Sequence, residues 1–303
     1  MPMTHDHAPT NFGKAFATGI VLNVAFVLIE AVYGWKAGSL ALLADAGHNL
    51  SDVAGLMLAW AAFGAAGLRP NRRHTYGWRR GSILASFVNA TMLLVAMGSL
   101  IWEALHRLQT PAAVDASTVI VVAAVGVVIN GVTALMFFSG SKQDLNIRGA
   151  FLHMAADSLV SVGVVIAGSL YLWQGWTWID PVVSLLIALV IIIGTWSLFR
   201  RSLHLLFDGV PDDIDLDQIQ QSLLELPDVL SVHDLHVWAM STAENALTAH
   251  LICAAGAGNH STVLCQAEIM LHDRFEIRHT TLQCESPEYG TQCAVNQKNC
   301  TAI

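Results

Sequence analysis

Six stretches of this chain, at 14–35, 40–66, 82–106, 117–139, 148–173 and 179–204, are apolar over enough length to cross a bilayer. A helix rises about 1.5 Å per residue and the hydrocarbon core is roughly 30 Å thick, so about 20 apolar residues suffice. Length alone, 303 residues, suggests two domains, but 54% hydrophobic against 13% charged residues argues first for a membrane protein. The first stretch reads as a retained helix. Phe16 to Trp35 lacks a compact apolar core followed by a small-residue cleavage site, and it contains Glu30.

Charge orients the set. One side of the six stretches receives Lys14, Arg69, Arg72, Arg73, Arg79, Arg80, Lys142, Arg148, Arg200 and Arg201, and the other only Lys36 and Arg107. Basic loops stay in the cytosol, which puts both termini there. Beyond Phe207 the chain carries three basic and fourteen acidic residues, a net of −11, whereas the part up to Phe207 is +3. An acidic tail domain argues against nucleic acid, whose phosphates need a basic footprint, and is compatible with cations. All five cysteines lie in that part. In a reducing compartment they are thiols rather than disulfides.

Titratable side chains inside hydrocarbon cost about 2.5–3.5 kcal/mol each on insertion scales, so those present are functional candidates. The second stretch contains Asp45, His48 and Asp52, and the fifth His153 and Asp157. The spacing His-x-x-x-Asp therefore occurs twice. Residues four apart share a helix face one turn apart, so two opposed faces offer two imidazoles and two carboxylates. That set suits tetrahedral Zn²⁺ and neutralises it, while the lack of thiolate favours release. Asp45, Glu30, His106 and Asn130, each alone, read equally well as helix-to-helix hydrogen-bonding groups. Asp45, one turn from His48, is an exit-path carboxylate or a packing acid. Glu103 and His106 read as snorkelling residues.

At this point the chain resembles the cation diffusion facilitators, and among them the bacterial zinc, cadmium and cobalt exporters. The resemblance rests on 39–52 (SLALLADAGHNLSD), 74–78 (HTYGW), 145–157 (LNIRGAFLHMAAD), 178–181 (WIDP) and 233–238 (HDLHVW), in the family's order over nearly the whole chain. It implies a six-helix transmembrane bundle followed by a cytosolic α+β ferredoxin-like domain, in a homodimer embedded in lipid. The implied boundaries are a tail at 1–13, the bundle at 14–207, the cytosolic metal-sensing and dimerisation domain at 208–286, and a tail at 287–303. It also implies that a proton-coupled antiporter of the inner membrane exports Zn²⁺ through His48, Asp52, His153 and Asp157, with Cd²⁺ and Co²⁺ as related substrates, and that the chain is not an enzyme. A regulatory cytosolic Zn²⁺ site is implied at His233, His250 and Glu285, with Gln283 where some relatives place a His. An interfacial charge pair is implied between Arg80 and Asp208, against which stand two solvated charges worth about 0–1 kcal/mol.

Two departures from the resemblance are informative. Where some relatives bind metal between the second and third helices with an Asp and two His, this chain has Asn71, His74 and Trp78, so no tight site is expected there. The segment 139–144 has no His, unlike the loop of many eukaryotic members.

Past Pro211 the pattern predicts helix 215–226, strands 229–238 and 246–254, helix 260–274 and strand 277–285. A unit of about eighty residues is marginal alone, so dimerisation through it is reasonable. Strand alternation sets His233 and His236 on opposite faces, Gln283 and Glu285 on one face, and Cys284 on the other. Cys253 and Cys265 are expected as small buried hydrophobes. Cys293 and Cys300, like the His5-Asp6-His7 tail, read as ligands or bystanders.

Three rival readings remain. An intramembrane metalloenzyme needs an open coordination position and a general base, and no HExxH occurs. A metal sensor or receptor that binds without transporting is the second, and a passive channel, which a firm four-ligand site disfavours, is the third.

Overall fold

The computed structural model describes residues 12–66, 68–138, 145–254 and 260–287. They form two compact units, one from Met1–Met57 with Val88–Ser197 and one from Leu58–Phe87 with Leu198–Ile303. The predicted elements are all present. Six long helices come first: α1 Phe12–Ala37, α2 Leu40–Ala66, α3 Gly81–Gln109, α4 Ala116–Phe138, α5 Leu145–Gln174 and α6 Ile179–Leu206. Among the described residues, four are long and apolar enough to cross a membrane: α3, α4, the Phe151–Gln174 part of α5, and α6.

In the first unit α5 packs along α4, and α4 against α1. Their core holds Phe26, Leu42, Met97, Val119, Val164 and Ile187. Gly126 on α4 leaves room for side chains of both α1 and α5, because a Cβ there would lie 2.7 Å from Phe26 Cζ and 3.0 Å from Ser161 Oγ. Small residues at such contacts let neighbouring helices pack tightly where lipid supplies no hydrophobic drive.

The start of α2 is fixed from two directions. Gly38, at φ +67°, ends α1 in the left-handed conformation a Cβ disfavours, and the Gly38 and Ser39 amides return to the carbonyls of Trp35 and Gly34. The Asp180 carboxylate, at the start of α6, then accepts from Ser39 Oγ at 2.6 Å and from the Leu40 amide at 3.0 Å. A buried anion thus satisfies the free N–H groups of a helix N-terminus. Asp115 does the same for α4, taking the Ser117 and Thr118 hydroxyls at 2.6 Å each and the Thr118 amide at 3.2 Å. These donors favour its ionised form and pull its carboxyl down to about 2.

The second unit carries α7 Leu216–Leu224, β1 Val229–Ala239, β2 Asn245–Cys253, α8 His260–Phe275 and β3 His279–Glu285. The sheet order is β1-β2-β3, antiparallel in the first pair and parallel in the second. Asp215 caps α7 by accepting from the Asp217 and Gln218 amides. Ile219, Leu223, Leu247, Leu251, Leu271 and Ile277 are fully enclosed between helices and sheet.

Candidate metal centres

In the first unit, α2 and α5 run past each other so that the two His-x-x-x-Asp faces meet. His48 Nε2 lies 3.6 Å from Asp52 Oδ2 and 3.7 Å from Asp157 Oδ1. His153 Nε2 lies 3.0 Å from Asp52 Oδ2 and 3.5 Å from Asp157 Oδ2. A tetrahedron with metal–ligand bonds of about 2.0–2.1 Å has edges of roughly 3.3 Å, so these four nitrogen-to-oxygen separations bracket what zinc requires. Among the described residues, His48, His153 and Asp157 converge with ligand atoms all within 4.8 Å of one another, and Asp52, close to both histidines, stands outside that group.

The polar accounting agrees. Asp52 Oδ2 and Asp157 Oδ2 are buried atoms with no well-formed hydrogen bond. A buried polar atom without a partner is costly, and a cation between these groups removes that cost. Asp157 is almost enclosed, with its side chain 4% exposed, whereas Asp52 and His153 are 38% and 41% exposed. The centre is closed at one end and open at the other.

On the closed side lie other buried polar residues. Asp45 accepts from Ser161 Oγ at 3.2 Å, and Glu30 from Asn49 Nδ2 at 3.5 Å. Asn130 is also buried, with neither side-chain polar atom partnered among the described residues. At the end of α3, Glu103 instead pairs with Arg107 at 2.9 Å, and His106 meets the Thr110 hydroxyl.

In the second unit β1, β2 and β3 set His233 opposite His250 and His250 opposite Gln283. Glu285, buried at the end of β3, lies 3.1 Å from His233 Nε2 and 2.9 Å from His250 Nδ1, and it accepts from Gln283 Nε2 at 2.9 Å. These three potential ligands form the second cluster with metal-compatible spacing among the described residues.

One expectation from alternation fails here. His233 and His236 lie on the same face, because the register slips by one residue between them, from His233 opposite His250 to His236 opposite Thr248. The extra residue is accommodated where Asp234 takes φ +52°. His236 then turns to Asp234 at 3.1 Å, and Asp234 also faces His250 Nε2 at 3.8 Å. The Asp234 contact was not legible in the alternation, since the bulge that creates it is a backbone event.

The cysteines divide. Cys253 is buried, and burial together with neighbouring Cys284 pushes its thiol up to about 12. Cys265 is exposed, contrary to expectation, because the buried face of α8 is Val263, Ala267 and Leu271. Cys284 packs against the domain core, away from Glu285. Cys293, Cys300, His5 and His7, and segment 139–144, lie outside the described residues.

In the loop after α2, Asn71 Oδ1 accepts from the Arg73 and His74 amides at 2.9 Å each, and the His74 ring stacks on Trp78. These residues spend their polar and aromatic groups on the loop itself. Arg80 and Asp208 form an ion pair, with side chains 49% and 57% exposed.

The chain is similar to known proteins along most of its length. The profile of the cation efflux transmembrane domain matches residues 17–207, and that of the cation efflux protein cytoplasmic domain matches residues 211–287. The metal cation efflux system protein CzcD of Cupriavidus metallidurans is 36% identical over 282 residues, 93% of this chain and 89% of that protein. The zinc transporter ZitB of Escherichia coli is 35% identical over 305 residues, 97% of each chain. A cadmium, cobalt and zinc/H(+)-K(+) antiporter of Bacillus subtilis is 32% identical over 297 residues, 97% of this chain and 95% of that one. A solved metal-bound C-terminal domain of the Cupriavidus CzcD transporter is 36% identical, covers 24% of this chain and 99% of its own, and has a TM-score of 0.23.

Proposed function

This chain belongs to the cation efflux family, a membrane-embedded, multi-pass metal transporter and not an enzyme, and on that premise we propose that it exports Zn²⁺ from the cytosol in exchange for protons. The observation that carries this reading is the His48, Asp52, His153 and Asp157 cluster, whose nitrogen-to-oxygen separations of 3.0–3.7 Å suit a tetrahedral ion. Cd²⁺ and Co²⁺ accept similar ligands and are further substrates, since selectivity among these ions depends on geometry and availability.

The ligands must be deprotonated to hold the ion, so protons and metal compete for one site. Cytosolic Zn²⁺ displaces protons at the inward-open site, the bundle rocks, and protons from the acidic outer side release the ion. Asp52 and His153, the more exposed ligands, lie one turn closer than His48 and Asp157 to the Ala66 end of α2 and the Leu145 end of α5, respectively. Those are the ends the basic loops assign to the cytosol, which supports an inward-open form.

In this reading all six helices span the inner membrane with both termini cytosolic, residues 14–207 form the transport domain and 208–286 a ferredoxin-like dimerisation domain. Exposed Trp35, Trp102 and Trp173 near the C-terminal ends of α1, α3 and α5 support the membrane placement of these helices as interfacial anchors in lipid. Two copies associate through the cytosolic domain. There His233, His250 and Glu285 bind regulatory zinc, and Arg80 with Asp208 ties α3 to the segment after α6.

The alternative, a sensor that binds zinc without moving it, draws on that cytosolic cluster. Zinc titration of purified, folded dimers tests the assignment. Asp157→Asn weakens the membrane site by more than about 100-fold, since losing a residue that only orients a ligand already costs about 10–100-fold. A Glu285→Ala variant keeps that site, and if its loss abolished all zinc binding the sensor reading would lead.

A further inference from the structure

Strand β1 holds one residue in a backbone conformation foreign to a strand. Asp234 takes φ +52° between His233 and His236, at the bulge where the register slips. Aspartate and asparagine accept that conformation more readily than other residues with a Cβ, yet it still marks a position where the side chain has been re-aimed. Here the bulge turns the Asp234 carboxylate toward two histidines. Its Oδ1 lies 3.1 Å from His236 Nε2 and its Oδ2 3.8 Å from His250 Nε2.

His250 therefore stands between two carboxylates. Its Nδ1 lies 2.9 Å from Glu285 Oε1, while Nε2 faces Asp234. A neutral imidazole donates from one ring nitrogen and offers a lone pair from the other. With the proton on Nδ1, the ring donates to Glu285 and has no ligand atom in the cluster. With the proton on Nε2, Nδ1 stays bare beside the Glu285 oxygens, which His233 Nε2 also approaches at 3.1 Å. Despite its closeness to Glu285, Nδ1 is a buried atom with no well-formed hydrogen bond. Two lone-pair atoms facing each other suit a cation between them. The 3.8 Å gap to Asp234 is longer than a formed hydrogen bond, and the carboxylate, 44% exposed, has room to close it.

We propose that Asp234 is a positioning residue of the cytosolic centre: by accepting from His250 Nε2–H, it fixes the ring and the tautomer that present Nδ1 to a divalent ion shared with His233 and Glu285. The inference rests on the regulatory-site reading above. Asp234 supplies no ligand atom itself. His236 holds its other oxygen, so the carboxylate is braced on one side and aimed at His250 on the other. A carboxylate on the far nitrogen of a ligating histidine sets the ring's orientation and raises the basicity of the nitrogen that meets the metal.

The test records ¹⁵N-histidine spectra of the full-length, detergent-solubilised dimer at about pH 8, where an ordinary histidine is neutral. The His250 signals are assigned by their loss in His250→Gln. In the metal-free wild type His250 carries its proton on Nε2. In Asp234→Gly, which accepts the same backbone conformation, Glu285 is the remaining acceptor and the proton moves to Nδ1. Zinc binding, followed at the His250 signals under chelator-buffered zinc, weakens about tenfold in that variant, and Asp234→Asn, which keeps an acceptor oxygen, stays nearer the wild type. A metal-free wild type with the proton on Nδ1 overturns the proposal without any variant having to fold. Unchanged tautomer and zinc affinity in Asp234→Gly overturn it too, while the cytosolic centre stands. If zinc leaves the wild-type His250 signals unmoved, the regulatory-site reading fails and the proposal with it.

Discussion

Charge, more than shape, separates the roles of the residues at the two centres. Asp157 is enclosed between His48 and His153, so its carboxylate depends on a bound ion for compensation. The spacing that brought these four residues together was legible in the chain, because a helix converts an interval of four into a shared face. The pairing at Asp234 was not, because a one-residue slip in a strand reverses the faces assigned to everything beyond it. The cysteines give a prediction at this scale. Cys253 is buried with its thiol pushed up to about 12, so almost no thiolate exists near pH 8, whereas Cys265 is exposed. Alkylation of the native protein followed by peptide mass spectrometry should modify Cys265 and spare Cys253.

Helix ends decide how the elements are held. All six apolar stretches were readable from composition, and each became a helix close to its expected limits. The bond from Asp180 to the start of α2 was not readable, since it joins positions 141 residues apart. It anchors the helix carrying His48 and Asp52. Asp180→Ala strands buried donors and should destabilise the dimer by about 1.5–3 kcal/mol, seen as a lower unfolding temperature. Asp115 supplies a pH dependence. Its folded carboxyl lies near 2, below the ordinary 3.8, so its capping contribution is fully present above that ordinary value and is lost as pH falls through about 2. Unfolding temperatures measured down that range should fall less steeply for Asp115→Asn than for the wild type.

For the whole molecule, the shift from apolar stretches to an acidic, alternating pattern after Phe207 was visible in the chain, whereas the joining of Leu58–Phe87 to Leu198–Ile303 in one compact unit was not. The Arg80–Asp208 pair spans 128 positions and was suggested by resemblance alone. At this exposure it adds little to stability, about 0–1 kcal/mol, so any larger effect of its loss would fall on transport. Proton coupling, as proposed above, is a property of the assembled carrier that no single site contains. The most direct measurement is zinc uptake into inside-out proteoliposomes with an acidic interior, comparing wild type with folded Asp52→Ala and Asp157→Ala dimers. Gradient-driven accumulation is expected for the wild type and its loss in both variants. Equal accumulation by all three, or by the wild type with and without the gradient, would contradict it.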